Sequence, residues 1–98
     1  MCGAPKQGGS LAGIDLDTQT VIQGSVWHDG APVAGAYVRL LDATGEFTAE
    51  VVTSPAGHFR FFAAPGTWTL RALSRAGNGD AAIVASRGIN EVAVAVSA

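Results

Sequence analysis

The sequence predicts an all-β protein built as a β-sandwich. Two blocks between Val21 and Ala72 pair turns rich in Gly, Pro and Asp with strict alternation of apolar residues: GSVWHDGAPVAGAYVRL and GHFRFFAAPGTWTLRA. This combination is typical of short antiparallel strands that are buried on one face. No apolar pattern with a period of 3.6 residues is long enough to predict a helix.

Alternation divides the chain into seven strands, A to G. They are expected near residues 20–28, 35–42, 47–53, 57–62, 67–73, 80–86 and 89–97. The segment 1–18 is expected to be a flexible tail, because its first residues are mostly Gly and other small residues, and 19–98 the β-sandwich domain. Turn glycines with positive φ angles are expected at Gly30, Gly35, Gly45, Gly57 and Gly66.

The same alternation predicts which side chains lie between the two sheets. The expected core consists of Ile22, Gly24, Val26, Ala36, Val38, Leu40, Phe59, Phe61, Trp68, Leu70, Ala72, Val92, Val94 and Val96. Trp68 is expected to be the largest core residue, so that its truncation would cost roughly 3–5 kcal/mol.

Composition limits the classes of function. With 98 residues, 48% of them hydrophobic and 14% charged, the chain is expected to form one packed domain. A net charge of −2 offers no basic surface for nucleic acid or for an anionic membrane. The chain has no apolar run long enough to cross a bilayer and no apolar stretch of a secretion signal before Cys2, so a cytoplasmic location is expected.

The sequence contains no pattern that indicates a catalytic, metal or cofactor site. His28 and His58 are the only imidazoles, and they lack the spacing of zinc ligands. The glycine-rich stretch 76–80 is followed by no helical pattern, which favours a flexible turn over a phosphate-binding loop. We therefore expect no catalytic residues, no bound metal and no cofactor.

The two blocks resemble the carboxypeptidase regulatory-like family, a seven-stranded Greek-key sandwich of the prealbumin type, over about residues 20–97. Trp68 stands where that family usually has a tyrosine. Over its whole length, including MCGAPKQG and RALSRAGNGD, the chain is similar to a small actinobacterial family of unknown function. That family is usually encoded beside thiosulfate sulfurtransferases of the rhodanese type, and its members are often assigned to sulfur metabolism for that reason.

The resemblance implies two sheets with strand orders D-A-G and C-B-E-F. A second arrangement stays open from the pattern alone, in which the short loop 63–67 closes a hairpin between strands D and E and sets His58 opposite Arg71. Hydroxyisourate hydrolases share this type of sandwich but end in Tyr-Arg-Gly-Ser. This chain ends in Val-Ala-Val-Ser-Ala, so that hydrolase activity is not expected.

With these sheets, one outer face is the candidate binding surface. The D-A-G face would carry the four expected contact residues Trp27, His58, Arg60 and Phe62. Aromatic side chains beside an arginine resemble the hot spots of protein interfaces. In the alternative, Ile14 and Leu16 fold back and cover these rings. The opposite face is expected to be an ordinary solvated sheet with an Arg39–Glu50 ion pair.

Three functions follow from these expectations. The first is a non-catalytic accessory or docking module, associated with a rhodanese-type thiosulfate sulfurtransferase. The second is a sulfur carrier in which Cys2 accepts a persulfide sulfur, although Lys6 is the only basic side chain near this thiol in sequence. The third is a structural sandwich that only self-associates, through exposed strand edges or the D-A-G face. The expected oligomeric state is a monomer or a weak homodimer.

Overall fold

The computed structural model describes residues 18–98, and all of its strands belong to two packed sheets. The strands are β1 (Thr20–His28), β2 (Ala31–Pro32), β3 (Tyr37–Leu41), β4 (Phe47–Val52), β5 (His58–Ala63), β6 (Gly66–Ser74), β7 (Gly77–Ala85) and β8 (Gly88–Ala95). The predicted all-β class is therefore confirmed for this part of the chain. Nothing in the described range forms a helix long and apolar enough to cross a membrane.

The two sheets have the strand neighbours that were expected. In the first sheet β1 lies between β5, which is antiparallel to it, and β8, which is parallel. The second sheet has the order β4-β3-β6-β7, with antiparallel neighbours throughout. The alternative hairpin between β5 and β6 is wrong, because β5 pairs with β1 whereas β6 pairs with β3 and β7. The prealbumin-type Greek-key topology stays a prediction.

The described residues form eight strands, so the expected number of seven is wrong. The additional strand, β2, pairs with the end of β1 across a two-residue turn formed by Asp29 and Gly30. Both turn residues have positive φ angles, 51° and 78°, as a type I′ hairpin requires. Pro32 has no N–H to donate to a ladder, which keeps this strand short.

Strand β7 begins at Gly77, three residues before the expected start of strand F at 80. Most of the glycine-rich stretch 76–80 is therefore strand, and its interpretation as a flexible turn is wrong. The glycines let β7 approach the end of β8: a Cβ atom on Gly79 would lie 1.9 Å from the carbonyl oxygen of Ala95. Beside it, Asn78 and Ser97 exchange two backbone hydrogen bonds of 3.1 Å, which join the two sheets at this corner.

The core lies between the sheets and contains most of the predicted residues. Its fully or nearly fully buried predicted members are Ile22, Val26, Ala36, Val38, Leu40, Phe59, Phe61, Leu70, Ala72, Val94 and Val96. Val51 and Ala85 are buried with them although they were not predicted. The Phe59 and Phe61 rings pack at 6.0 Å between centroids. Gly24 faces inward as predicted, and the missing side chain matters there, because a Cβ would lie 1.6 Å from the carbonyl oxygen of Val92.

Trp68 is not the largest core residue, contrary to expectation. Its side chain packs against the core but is only partly buried, and the largest fully buried side chain is Phe59. The reason is the position of Trp68 near the start of β6. There its indole N–H donates a hydrogen bond of 2.8 Å to the carbonyl oxygen of Ala64, in the loop that crosses between the sheets.

Candidate functional site

The outward surface of β5, β1 and β8 carries all four of the predicted contact residues, and we call it the β1 face. Register places its side chains in four rows across the strands: Pro32–Trp27–Ala95, His58–Ser25–Ala93, Arg60–Gln23–Glu91 and Phe62–Val21–Ile89. Facing residues of neighbouring strands point to the same side of a sheet, so each row is a line of neighbouring side chains.

A hydrogen-bonded polar row crosses the middle of the β1 face. The Gln23 side-chain amide donates to Glu91 Oε2 at 2.7 Å, and Gln23 Oε1 accepts from Arg60 Nε at 3.1 Å. One glutamine thus links an arginine and a glutamate that stand on different strands. Beside this row is a depression of about 290 Å³, lined by Gln23, Gly24, Ser25, His58, Phe59, Arg60 and Glu91.

The two ends of the β1 face are apolar. At one end Phe62 and Ile89 are exposed, by 45% and 39%, on either side of the fully buried Val21. At the other end Trp27 is exposed by 37%, and its indole N–H donates a hydrogen bond of 2.6 Å to Ser25 Oγ. The two ends are six residue steps apart along β1, from Val21 to Trp27, which at the usual strand rise is roughly 20 Å.

The four predicted contact residues therefore do not form one cluster. His58 and Arg60 lie next to each other at the polar middle, whereas Trp27 and Phe62 stand at opposite ends of the face. Their role in binding a partner stays a prediction. The segment with Cys2, Lys6, Ile14 and Leu16 lies outside the described residues.

Sequence reasoning missed Glu91 and Ile89 as members of this surface. Alternation along β8 would have placed both outward, on the same side as Ala93 and Ala95. It could not have placed Glu91 beside Gln23, because that contact depends on the register of a parallel pair between residues 68 positions apart.

Neither imidazole has a set of metal-ligating neighbours. Within residues 18–98, no three His, Cys, Asp or Glu side chains come together. His28 Nε2 lies 3.5 Å from Asp29 Oδ2, and its Nδ1 lies 3.0 Å from the carbonyl oxygen of Val96, the residue after β8. His58 is an exposed residue of the β1 face, opposite Ser25.

The other outer face, on the sheet of β3, departs from expectation. The predicted ion pair is confirmed, with Arg39 Nε 2.8 Å from Glu50 Oε2. The surface around it is more apolar than an ordinary solvated sheet, because it exposes Tyr37, Phe47, Val52 and Val84.

Comparisons with known proteins show relatives along nearly the whole chain. "Uncharacterized protein Rv0814c" of Mycobacterium tuberculosis is 61% identical over 100 residues, which cover 99% of this chain and all of that protein. An "Uncharacterized protein" of Mycolicibacterium smegmatis is 59% identical over 88 residues, covering 88% of this chain and 98% of that one.

A solved structure supports the fold. The crystal structure of a DUF3823 family protein from Parabacteroides merdae aligns with a TM-score of 0.62 and 17% identity, over 81% of this chain. The matched region spans 46% of that longer protein, so the likeness concerns the fold of one part of it. A family model described as "Protein of unknown function (DUF1416)" matches residues 2–96, and the chain belongs to that family.

Proposed function

We propose that this protein is a non-catalytic docking module that binds a protein partner through the β1 face. The observation that carries the proposal is the arrangement of this face, in which the row Arg60–Gln23–Glu91 lies between an exposed Trp27 and an exposed pair of Phe62 and Ile89. The proposal rests on how well this arrangement meets the physical requirements of an interface.

The ends of the face supply the apolar contacts. Trp and Phe side chains bury large areas when a partner covers them, and tryptophan and arginine are enriched among residues that dominate binding energy. Because the ends are roughly 20 Å apart, a partner that contacts both must present a broad surface and not a single side chain.

The middle of the face supplies orientation. Gln23 holds the Arg60 and Glu91 side chains through hydrogen bonds, so that less side-chain entropy is lost when a partner binds them. The row also presents a positive group on β5 and a negative group on β8, which favours a partner with the opposite order of charges.

The polar groups of the β1 face fit a non-catalytic role. Ser25 lies opposite His58 in register, but its hydroxyl oxygen accepts the hydrogen bond of the Trp27 indole. The depression beside the polar row is only partly enclosed, whereas substrate sites usually enclose most of their ligand. These features favour a surface that is covered by a partner over a site that encloses a substrate.

The partner that we propose is a thiosulfate sulfurtransferase of the rhodanese type. Support for this choice comes from the resemblance to the family that is encoded beside such enzymes, and the surface proposed to bind the enzyme is the β1 face. A role in sulfur metabolism and a cytoplasmic location belong to the same proposal.

The test is an NMR titration of isotope-labelled protein with this sulfurtransferase. We expect shifts in the amide signals of β1, β5 and β8, and loss of binding in the double variant Trp27→Ala, Phe62→Ala. A matched control, Tyr37→Ala with Phe47→Ala, removes two exposed aromatic rings from the other face and should bind like the wild type.

Two results would contradict the docking proposal. If no signal shifts at a high concentration of the enzyme, the partner is wrong. If binding persists in the β1-face double variant but sulfur transfer fails in Cys2→Ser, the protein is a carrier that acts through its thiol.

A further inference from the structure

The outward surface of the β4-β3-β6-β7 sheet is a second broad surface that no other strand of residues 18–98 covers, and we call it the β3 face. Its rows across the strands are Val52–Tyr37–Leu73–Asn78, Glu50–Arg39–Arg71–Asp80, Phe47–Leu41–Thr69–Ala82 and Thr67–Val84. Of the seven large hydrophobic side chains that are exposed among the described residues, four stand here: Tyr37, Phe47, Val52 and Val84. Val84 is 77% exposed and Phe47 61%, which is unusual for a face that contacts only water.

A row of four charged side chains crosses this apolar face. Arg39 and Arg71 are directly opposite each other on the two central strands, and each has a carboxylate on its outer side. Arg39 Nε lies 2.8 Å from Glu50 Oε2, and Arg71 Nη2 lies 3.5 Å from Asp80 Oδ2. The row therefore reads negative, positive, positive, negative.

Within residues 18–98, no carboxylate is paired with the row between its two arginines. Like charges directly opposite each other on a sheet are unfavourable, and the two carboxylates relieve that repulsion only from the outer sides. Both arginine side chains remain about half exposed, at 47% and 49%, so their remaining N–H groups can still donate to a ligand.

We propose that the β3 face binds a protein segment that presents one or two carboxylates between apolar side chains. The carboxylates lie over Arg39 and Arg71, and the apolar side chains pack on the rows to either side. The proposal is independent of the function proposed for the β1 face, since the two faces lie on opposite sides of the sandwich.

The charge order argues against a second copy of this chain as the occupant. The row reads the same from both ends, so a symmetric dimer centred on it would set arginine over arginine and carboxylate over carboxylate. Such a contact is repulsive whether the twofold axis runs along the row or lies in the contact plane perpendicular to it. A different protein with carboxylates at the centre is complementary to the same row.

The size of the face favours a short segment. Four strands spaced about 4.8 Å apart and four rows about 6.7 Å apart along them cover a flat area of roughly 500 Å². A standard interface buries ~800 Å² of accessible surface on each partner, so this face is small for one. A single amphipathic strand or helix fits this surface, and a globular partner would extend beyond it.

The probe in the experiment is a library of random short peptides displayed on phage, selected on the immobilised protein. We expect the enriched peptides to carry Asp or Glu between apolar residues and to shift the amide signals of β3 and β6. Their affinity is then compared across three double variants.

Two of the double variants change the β3 face and should change peptide affinity in opposite directions. The third changes the β1 face and should leave peptide affinity unchanged. Arg39→Gln with Arg71→Gln should weaken binding about tenfold, through loss of two charge-assisted contacts. Glu50→Gln with Asp80→Asn removes the competing carboxylates and should tighten binding several-fold. The β1-face variant Trp27→Ala, Phe62→Ala should bind the peptides as the wild type does.

The proposal is overturned if no peptide is enriched, or if the enriched peptides lack acidic residues. Equal affinity for the wild type and the arginine double variant would also overturn it. A mass that rises with concentration in the wild type and returns to the monomer in Phe47→Ala would identify a second copy as the occupant instead. None of these results bears on sulfurtransferase binding, because that test uses the β1 face.

Discussion

At the scale of single residues, Thr53 ties the end of β4 to the corner between β2 and β3. It is buried, and its hydroxyl accepts a hydrogen bond of 2.8 Å from the backbone N–H of Ala36 and donates one of 2.7 Å to the carbonyl oxygen of Val33. Thr53→Val keeps the shape but leaves these two groups without their partner. We expect a loss of about 1–3 kcal/mol in the free energy of unfolding, measured by urea denaturation.

The control for this substitution is Thr48→Val in β4. Thr48 is exposed, so its replacement should change the free energy of unfolding by no more than ~0.5 kcal/mol. Equal effects of the two variants would mean that the hydroxyl of Thr53 does not stabilise the corner.

Gly79 is a second position where one residue decides local packing. An alanine Cβ there would lie 1.9 Å from the carbonyl oxygen of Ala95, which is a backbone atom and cannot turn away. Gly79→Ala should therefore cost about 1–3 kcal/mol of stability and shift the amide signals of β8. Asp80→Ala, on the exposed side of the same strand, should cost less than ~1 kcal/mol. A Gly79→Ala protein as stable as the wild type would contradict this account.

At the scale of elements, the turn between β3 and β4 is organised by one carboxylate. Asp42 Oδ1 accepts hydrogen bonds from the Thr44 hydroxyl at 2.6 Å and from the backbone N–H groups of Thr44 and Glu46 at 2.9 and 3.0 Å. These bonds favour the charged form, so they hold the pKa of Asp42 below its ordinary value of 3.8, and the Thr44 hydroxyl contributes most.

The lowered pKa has a consequence that depends on pH. The contribution of Asp42 to stability is fully present above the unfolded-state pKa near 3.8 and is lost as the pH falls through the lower folded-state pKa. Thr44→Ala should raise the titration midpoint of the Asp42 carboxyl carbon, measured by NMR, toward 3.8. Thr48→Ala, a substitution outside these hydrogen bonds, should leave the midpoint unchanged. An unaltered midpoint in Thr44→Ala would show that the hydroxyl has no influence on this carboxylate.

Alternation predicted the strands well where each strand has one buried and one exposed face. The predicted range of strand A is that of β1. The predicted ends of strands C, D and E each lie within one residue of the ends of β4, β5 and β6. It failed at β2, which has only two residues, and at the start of β7. There Gly77 and Gly79 carry no side chain that could display a period, and the contact with β8 fixes the strand.

At the scale of the whole molecule, the contacts between surface side chains were harder to predict than the positions of core side chains. Core positions follow from the period of each strand, whereas the Gln23–Glu91 contact and the facing of Arg39 and Arg71 depend on how distant strands align. The two outer faces together carry all seven large hydrophobic side chains that are exposed in residues 18–98. Strand order was available only through the resemblance to a family. Apart from the Arg39–Glu50 ion pair, which was predicted, the polar contacts of each face required the structure.

The charge row of the β3 face should also determine whether the molecule stays monomeric. Neutralising Glu50, Arg39, Arg71 and Asp80 together, by Gln or Asn, removes two charges of each sign and keeps the net charge at −2. Only the pattern changes: the repulsion between two copies that meet face to face disappears, and the apolar rows remain. In sedimentation equilibrium we expect a mass of 9.9 kDa for the wild type and a mass that rises with concentration for this variant. A wild type that already self-associates, or a neutral variant that stays monomeric, would mean that the row does not keep copies of this chain apart.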